Sequence, residues 1–126
     1  WDLSSTFQAS FVKNALRDAA HALTFLHSIG VSHGDFYAHN IKVDRTSGRL
    51  YLLDFGASYM KGSFATQAEK VEVRAFGILV EELSKLLDPS ERDLKDKLVA
   101  LYEECTDADV NSRPSFESIK SKVDAF

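Results

Sequence analysis

His33-Gly34-Asp35-Phe36-Tyr37-Ala38-His39-Asn40 is the stretch that decides the fold, and one hairpin's length later the chain reads Asp54-Phe55-Gly56. Written as spacings, the two motifs are H-x-D-x-x-x-x-N and D-F-G. Between them lie strand-like runs at 41–43 and 50–53, separated by a segment that contains Asp, Ser and Gly, the residues typical of turns. We therefore predict a two-stranded hairpin that returns the chain to Asp54 beside the first motif.

Taken together and in this order, the two motifs resemble the catalytic loop and the metal-binding loop of the protein kinase superfamily. The form H-G-D-x-Y-A-H-N is similar to a variant found in bacterial and plant kinase-like proteins. The resemblance implies that Asp35 is the catalytic base beside an acceptor hydroxyl. It implies that Asn40 and Asp54 bind Mg²⁺ on the phosphates of ATP, and that Lys42 lies under the adenine ring. The expected cofactors are thus ATP and Mg²⁺.

Helical periodicity explains the first part of the chain. Apolar residues recur at helical spacing from Phe7 to Leu26, with possible cap oxygens at residues 4–6 and a favourable stop at Gly30. This pattern predicts one long amphipathic helix that leads directly into the catalytic-loop motif. Residues 57–70, in contrast, show no convincing period and are predicted to form a loop.

Three further helices are predicted after that loop. Residues 71–87 are apolar on nearly every side, which is typical of a helix buried in the middle of a domain. A second apolar stripe runs from Leu94 to Cys105, and a last helix begins near Pro114-Ser115 with Phe116, Ile119 and Val123 on its inner face. With the hairpin, these elements predict an α+β fold, mostly α, in a single domain over residues 1–126.

Later landmarks extend the resemblance to nearly the whole chain. Residues 72–79 are similar to the start of the central helix in the kinase C-terminal lobe, and residues 105–116 to a segment near the kinase C-terminus. The Gly-rich phosphate loop and the strand lysine of the N-terminal lobe have no counterpart. The resemblance therefore implies a kinase-like C-terminal lobe, completed by a missing N-terminal lobe or upstream domain. We expect the isolated chain to be inactive and to form homodimers through uncovered apolar surface.

Several residues depart from the pattern of the resembled family. Gly34 replaces the Arg that often binds an activation-loop phosphate, and Glu72 replaces the buried Asp that holds the catalytic-loop backbone. No A-P-E motif lies within residues 57–70, so Arg113 lacks its usual glutamate partner, for which Glu69 is the nearest candidate. Lys42 stands where the family usually has an apolar residue. His33 fits the structural histidine of the catalytic loop, which packs near Phe55.

Composition narrows the possible partners. A net charge of −4 gives no electrostatic case for nucleic acid or for an anionic membrane surface, and no apolar run approaches membrane-spanning length. The single cysteine, Cys105, excludes an internal disulfide framework and falls on an inner helical stripe, which indicates a core residue in a reducing, cytoplasmic location. Residue 1 is Trp, which favours a fragment or a processed chain.

Three functions remain open at this point. The first is the C-terminal lobe of a protein kinase-like phosphotransferase, and the second is the corresponding lobe of a small-molecule kinase of the aminoglycoside or choline type. The acceptor is accordingly a hydroxyl of a protein or of a small molecule. The third is a pseudokinase that serves as an interaction module. The short segment after the D-F-G motif suits the second, whereas the intact Asp35, Asn40 and Asp54 count against the third.

Overall fold

The computed structural model describes residues 7–126, which form four α-helices and two small antiparallel strand pairs. The helices are α1 (Ala9–Ser28), α2 (Ala65–Leu86), α3 (Arg92–Cys105) and α4 (Phe116–Asp124). The strands are β1 (Val31–Ser32), β2 (Ile41–Val43), β3 (Leu50–Leu52) and β4 (Tyr59–Met60). The predicted α+β class, mostly α with a small hairpin, is confirmed.

Helix α1 has the amphipathic face that its sequence predicts. Its core residues are fully buried, and they are Val12, Ala15, Leu16, Ala19, Ala20 and Leu23. The helix ends at Ser28, just before Gly30 adopts a positive φ of 82°. The proposed cap at residues 4–6 lies outside the described residues. Helix α1 thus forms one wall of the core and ends where the catalytic-loop motif begins.

The predicted hairpin is confirmed and is fastened to α1. Strand β2 pairs with β3 in antiparallel register, with Ile41 opposite Leu52. The backbone amide of Leu50 donates a hydrogen bond of 2.9 Å to the carboxylate of Asp18, and the side-chain amide of Asn14 donates one of 2.9 Å to the carbonyl oxygen of Ser47. These bonds set the hairpin against the outer side of α1, so its far end returns to the catalytic-loop motif.

Helix α2 differs from the prediction in two respects. It begins at Ala65, so only part of the predicted loop over 57–70 is irregular. The polar residues at its start are good helix formers, yet they lack the apolar period that would reveal a helix. The predicted absence of a polar face is also wrong, because Val71 is 64% exposed and both Arg74 and Lys85 are exposed. No helix within residues 7–126 is long and apolar enough to cross a membrane.

Helix α3 packs closely against α2 at Gly77. A β-carbon at this position would lie 2.7 Å from the β-carbon of Cys105. The predicted inner stripe of α3 is confirmed, since Leu94, Leu98, Leu101 and Cys105 are buried. Burial, followed by the nearby charge of Glu104, raises the pKa of the Cys105 thiol to about 12. Cys105 is therefore a core residue.

Helix α4 begins at Phe116, as predicted, and the hydroxyl of Ser115 accepts a hydrogen bond of 3.2 Å from the amide of Ser118. Its inner face of Phe116, Ile119 and Val123 is buried. The ring of Phe76 on α2 lies 6.1 Å from the ring of Phe116 and 6.4 Å from that of Phe36, which belongs to the catalytic-loop motif. These three rings connect the helical core directly to the motif.

Replacing Phe76 with Ala tests this arrangement. Phe76 is fully buried, so the truncation should cost about 3–5 kcal/mol of unfolding free energy, measured by denaturant titration. Phe64→Ala is the matched control, because Phe64 is 70% exposed and its loss should change stability by no more than about 0.5 kcal/mol. Equal effects of the two substitutions would contradict the central place of Phe76 in the core.

Candidate active site

The two sequence motifs lie side by side because strands pair on both sides of them. Strand β1, which leads into the first motif, pairs with β4, which follows the D-F-G motif, with Val31 opposite Met60 and Ser32 opposite Tyr59. At the end of the hairpin, the amide of Leu53 donates a hydrogen bond of 2.8 Å to the carbonyl oxygen of Asn40. Backbone hydrogen bonds on both sides therefore hold the two motifs next to each other.

Asp35 and Asn40 are in direct contact. The side-chain amide of Asn40 donates to Oδ2 of Asp35 at 2.8 Å and to the backbone carbonyl of Asp35 at 3.0 Å. These bonds use the NH₂ group of Asn40 and leave its amide oxygen as a potential metal ligand. His39 adds a second neighbour, with Nε2 at 3.5 Å from Oδ2 of Asp35. The Asp35 carboxylate is thus oriented from within the catalytic loop.

His33 connects Asp35 to the D-F-G motif. Its Nδ1 accepts a hydrogen bond of 3.2 Å from the amide of Asp35, so the ring proton belongs on Nε2, which lies 3.0 Å from the carbonyl oxygen of Leu53. The ring is fully buried, and its centroid lies 4.8 Å from that of Phe55. The predicted structural role of His33 near Phe55 is confirmed.

Asp54 has an unusual backbone conformation. With φ of 53° and ψ of 81°, it is the only non-glycine residue within 7–126 that has a positive φ. Such a conformation costs energy in a residue with a side chain, and it is enriched at functional sites. The Asp54 side chain accepts a hydrogen bond of 3.1 Å from the amide of Gly56, which fixes the carboxylate at the solvent-exposed start of the motif.

The structure explains why Gly34 departs from the family pattern. Gly34 has a φ of 86°, and a β-carbon there would lie 2.2 Å from the carbonyl oxygen of Ala57. A side chain at this position is excluded by both the conformation and the contact. The segment after the D-F-G motif therefore passes directly over the residue that precedes Asp35.

Glu72 holds the backbone of the catalytic loop, as predicted. Its buried carboxylate accepts hydrogen bonds from the amides of His33 at 2.8 Å and Gly34 at 2.9 Å, and from the hydroxyl of Ser32 at 3.1 Å. His27, a residue that sequence reasoning did not assign to the site, lies 3.0 Å from the same carboxylate. Burial raises the pKa of Glu72, but the hydrogen bonds from His27 and the two amides lower it by a larger amount. The pKa therefore lies below its ordinary value of 4.5.

Glu69, the nearest candidate partner for Arg113, binds elsewhere. The carboxylate of Glu69 accepts instead from the amide of Phe116 at 2.8 Å, at the N-terminus of α4, where a negative charge is favourable. The guanidinium of Arg113 donates to the carbonyl oxygens of Lys70 at 3.1 Å and Asp107 at 2.9 Å. Both residues join the start of α2 to the segment before α4, but through backbone groups.

Lys42 lies on the exposed face of the hairpin, opposite Tyr51 on the neighbouring strand. Its strand neighbours Ile41 and Val43 turn toward the core side. The alternation of strand side chains therefore places Lys42 and Tyr51 on one outward surface, away from the core. The recorded side-chain partners of the Asp35 carboxylate are Asn40 and His39, and Lys42 is not among them.

The residues present fit a magnesium–nucleotide complex. Asn40 and Asp54 carry the oxygen donors that Mg²⁺ prefers, and Mg²⁺ usually completes its coordination with substrate phosphates and water. Residues 7–126 contain no group of three His, Cys, Asp or Glu side chains that could hold a metal on their own. Asn40 and Asp54 therefore carry oxygen atoms of the kind that Mg²⁺ binds, and the Asp35 carboxylate lies 2.8 Å from the side-chain amide nitrogen of Asn40.

Comparisons with known proteins match this chain to kinases. The family model described as "Lipopolysaccharide kinase (Kdo/WaaP) family" matches residues 2–102. One curated relative, the "Probable serine/threonine-protein kinase FPV226" of Fowlpox virus (strain NVSL), is 42% identical over 45 residues. That match covers 36% of this chain and 15% of the viral protein, so this chain spans a small part of the length of that relative.

The lowered pKa of Glu72 provides a test of the hydrogen bonds around its carboxylate. The stability that this carboxylate contributes is complete above its ordinary pKa of 4.5 and is lost as the pH falls through the lower value of the folded state. Glu72→Gln should therefore cost about 3–5 kcal/mol near neutral pH, because it removes a buried charge from its partners. The difference from the wild type should shrink as the pH falls below that ordinary value.

Glu82→Gln on the same helix is the control for this titration. Burial, followed by the charge of Glu81, raises the pKa of Glu82, so ionisation of this carboxylate lowers the stability of the fold. As the pH rises, Glu82→Gln should therefore gain stability relative to the wild type, whereas Glu72→Gln should lose it. The measurement is the free energy of unfolding as a function of pH for all three proteins. Parallel curves for Glu72→Gln and the wild type would contradict the role of the ionised carboxylate.

Proposed function

The chain belongs to the lipopolysaccharide kinase (Kdo/WaaP) family, and from this premise we propose that it carries the catalytic loop of an ATP-dependent phosphotransferase. The reaction is transfer of the γ-phosphate of ATP to an acceptor hydroxyl. The observation that supports this best is the contact between Asn40 and Oδ2 of Asp35, set beside the left-handed Asp54 of the D-F-G motif. The resemblance to the two kinase motifs and the contacts among these residues both support this proposal.

In this proposal Asp35 accepts the proton of the acceptor hydroxyl, and Asn40 keeps the carboxylate in place. Asn40 and Asp54 would hold the magnesium ion, which would neutralise charge on the nucleotide phosphates. The left-handed backbone at Asp54 and its hydrogen bond from the Gly56 amide hold the carboxylate in one orientation. Preorganised groups of this kind need little rearrangement during the reaction.

The exposed face of the hairpin is proposed as the floor of the adenine site. Lys42 and Tyr51 lie there, and the methylenes of Lys42 can pack beneath a ring while its ammonium stays in water. Leu53 and Phe55 are also partly exposed nearby in the sequence, which leaves apolar surface beside the D-F-G motif. We propose that an N-terminal lobe or another upstream domain covers this face and completes the nucleotide site.

We favour a saccharide hydroxyl over a protein hydroxyl as the acceptor. The name of the family refers to lipopolysaccharide, whereas the name of the viral relative refers to serine and threonine as acceptors. Only residues 57–64 separate the D-F-G motif from α2, and residues 87–91, between α2 and α3, contain no helix. Such short connections leave little surface on which an extended peptide could be aligned.

Asp54→Asn in the full-length protein tests the catalytic assignment. Loss of this metal ligand should lower kcat for MgATP-dependent phosphotransfer by more than about a hundredfold, because several kcal/mol of charge stabilisation is removed. Asp93→Asn, an exposed change on α3, is the matched control and should leave kcat unchanged. Near-normal transfer by Asp54→Asn would contradict the assignment of Asp54 as a metal ligand, whereas no transfer by the wild type would favour a pseudokinase.

The same assay distinguishes the acceptors. Lipopolysaccharide and a mixture of peptides that contain Ser and Thr are offered separately with radiolabelled MgATP, and the labelled product is identified. We expect label on the saccharide, with transfer that depends on Asp35 and Asp54. Transfer to the peptides alone would refute the saccharide acceptor and support the protein kinase alternative.

A further inference from the structure

Lys61 is a buried cation in the segment that follows the D-F-G motif. It comes directly after β4 and is 8% exposed, and its backbone amide donates a hydrogen bond of 2.9 Å to the carbonyl oxygen of Gly30. Its ammonium group lies 2.8 Å from Nδ1 of His27 and 3.1 Å from the carbonyl oxygen of the same residue. The side chain therefore enters the protein beneath the catalytic loop and ends at α1.

The hydrogen bonds fix the proton on His27. Because an ammonium group can only donate, Nδ1 of His27 must accept and carries no proton. The proton is then on Nε2, which donates to Oε1 of Glu72 at 3.0 Å. A neutral imidazole thus stands between a buried ammonium and a buried carboxylate, and Glu72 is only 4% exposed. The two opposite charges, linked through the imidazole ring, compensate for the unfavourable free energy of burying each of them.

We infer that Lys61, acting through His27, is a positioning residue for the catalytic loop; this inference rests on the function proposed above. Glu72 accepts hydrogen bonds from the amides of His33 and Gly34, the two residues before Asp35. Whatever holds the Glu72 carboxylate therefore also holds the backbone that presents Asp35. Lys61 brings the segment after the D-F-G motif into this chain of contacts, so the two motifs are coupled through side chains as well as strands.

The coupling predicts a specific local effect of Lys61→Met in the full-length protein. Amide hydrogen exchange at His33 and Gly34 should accelerate at least about tenfold, because the Glu72 carboxylate loses its compensating charge. Exchange at buried α3 amides, such as that of Leu98, should change little. Lys85→Met is the matched control, since Lys85 is exposed and bonded to Glu81 on the surface of α2. Equal acceleration everywhere, or none at His33 and Gly34, would overturn the inference.

A double-mutant cycle tests whether Lys61 acts through His27. If it does, the exchange rates of the His33 and Gly34 amides in Lys61→Met/His27→Gln should not exceed those of the more affected single variant. Independent effects that multiply would overturn the coupling. The wild-type protein offers a test that needs no folded variant, because ¹⁵N NMR of the His27 ring should show the proton on Nε2. A proton on Nδ1 would be incompatible with the proposed chain.

The last measurement connects the coupling to the reaction. Lys61→Met should lower kcat about tenfold while KM for MgATP changes by less than about twofold, since the nucleotide ligands Asn40 and Asp54 are untouched. Unchanged kcat in an active enzyme would overturn the positioning role. If the wild type transfers no phosphate at all, the proposed function fails, and hydrogen exchange and the ring proton still decide whether Lys61 positions the loop.

Discussion

The buried carboxylate of Glu72 is the group on which the candidate site depends. Two backbone amides, one hydroxyl and one imidazole surround it, so its hydrogen-bonding capacity is well used despite its burial. Placing a charge in the interior is unfavourable unless such partners are present. Here the partners are the backbone of the catalytic loop itself, and satisfying the charge therefore also fixes the loop. The arrangement makes the stability of the core and the orientation of Asp35 two consequences of the same contacts.

Local signals in the sequence were sufficient for much of this structure. The turn residues between Ile41 and Leu53 predict the hairpin, and the apolar period of α1 predicts its buried face, because both patterns depend on neighbours a few residues apart. The role of Glu72 was also predictable, but only from its position relative to a resembled motif. Family likeness here supplied information that periodicity could not.

Contacts between distant segments were not predictable in the same way. Lys61 lies in a stretch without periodicity, and a lone lysine there favours a solvated position, so its burial against His27 has no signature in the sequence. The start of α2 was missed because its polar residues show helix propensity without an apolar face. Glu69 was the nearest candidate for Arg113 in the sequence, whereas the guanidinium donates to two backbone carbonyl oxygens. In each case the partner is set by the tertiary fold.

Gly34 and Lys61 distinguish this site from kinase sites in which a phosphate on the activation loop orders the catalytic loop. An arginine before the catalytic aspartate is the usual receptor for an activation-loop phosphate, yet at Gly34 the carbonyl oxygen of Ala57 occupies the space of any side chain. The cation that is brought to the loop comes instead from within the following segment, as Lys61, and its counter-charge is Glu72. Both charges are encoded in the chain, so the contacts that hold the backbone amides of His33 and Gly34 form as the chain folds.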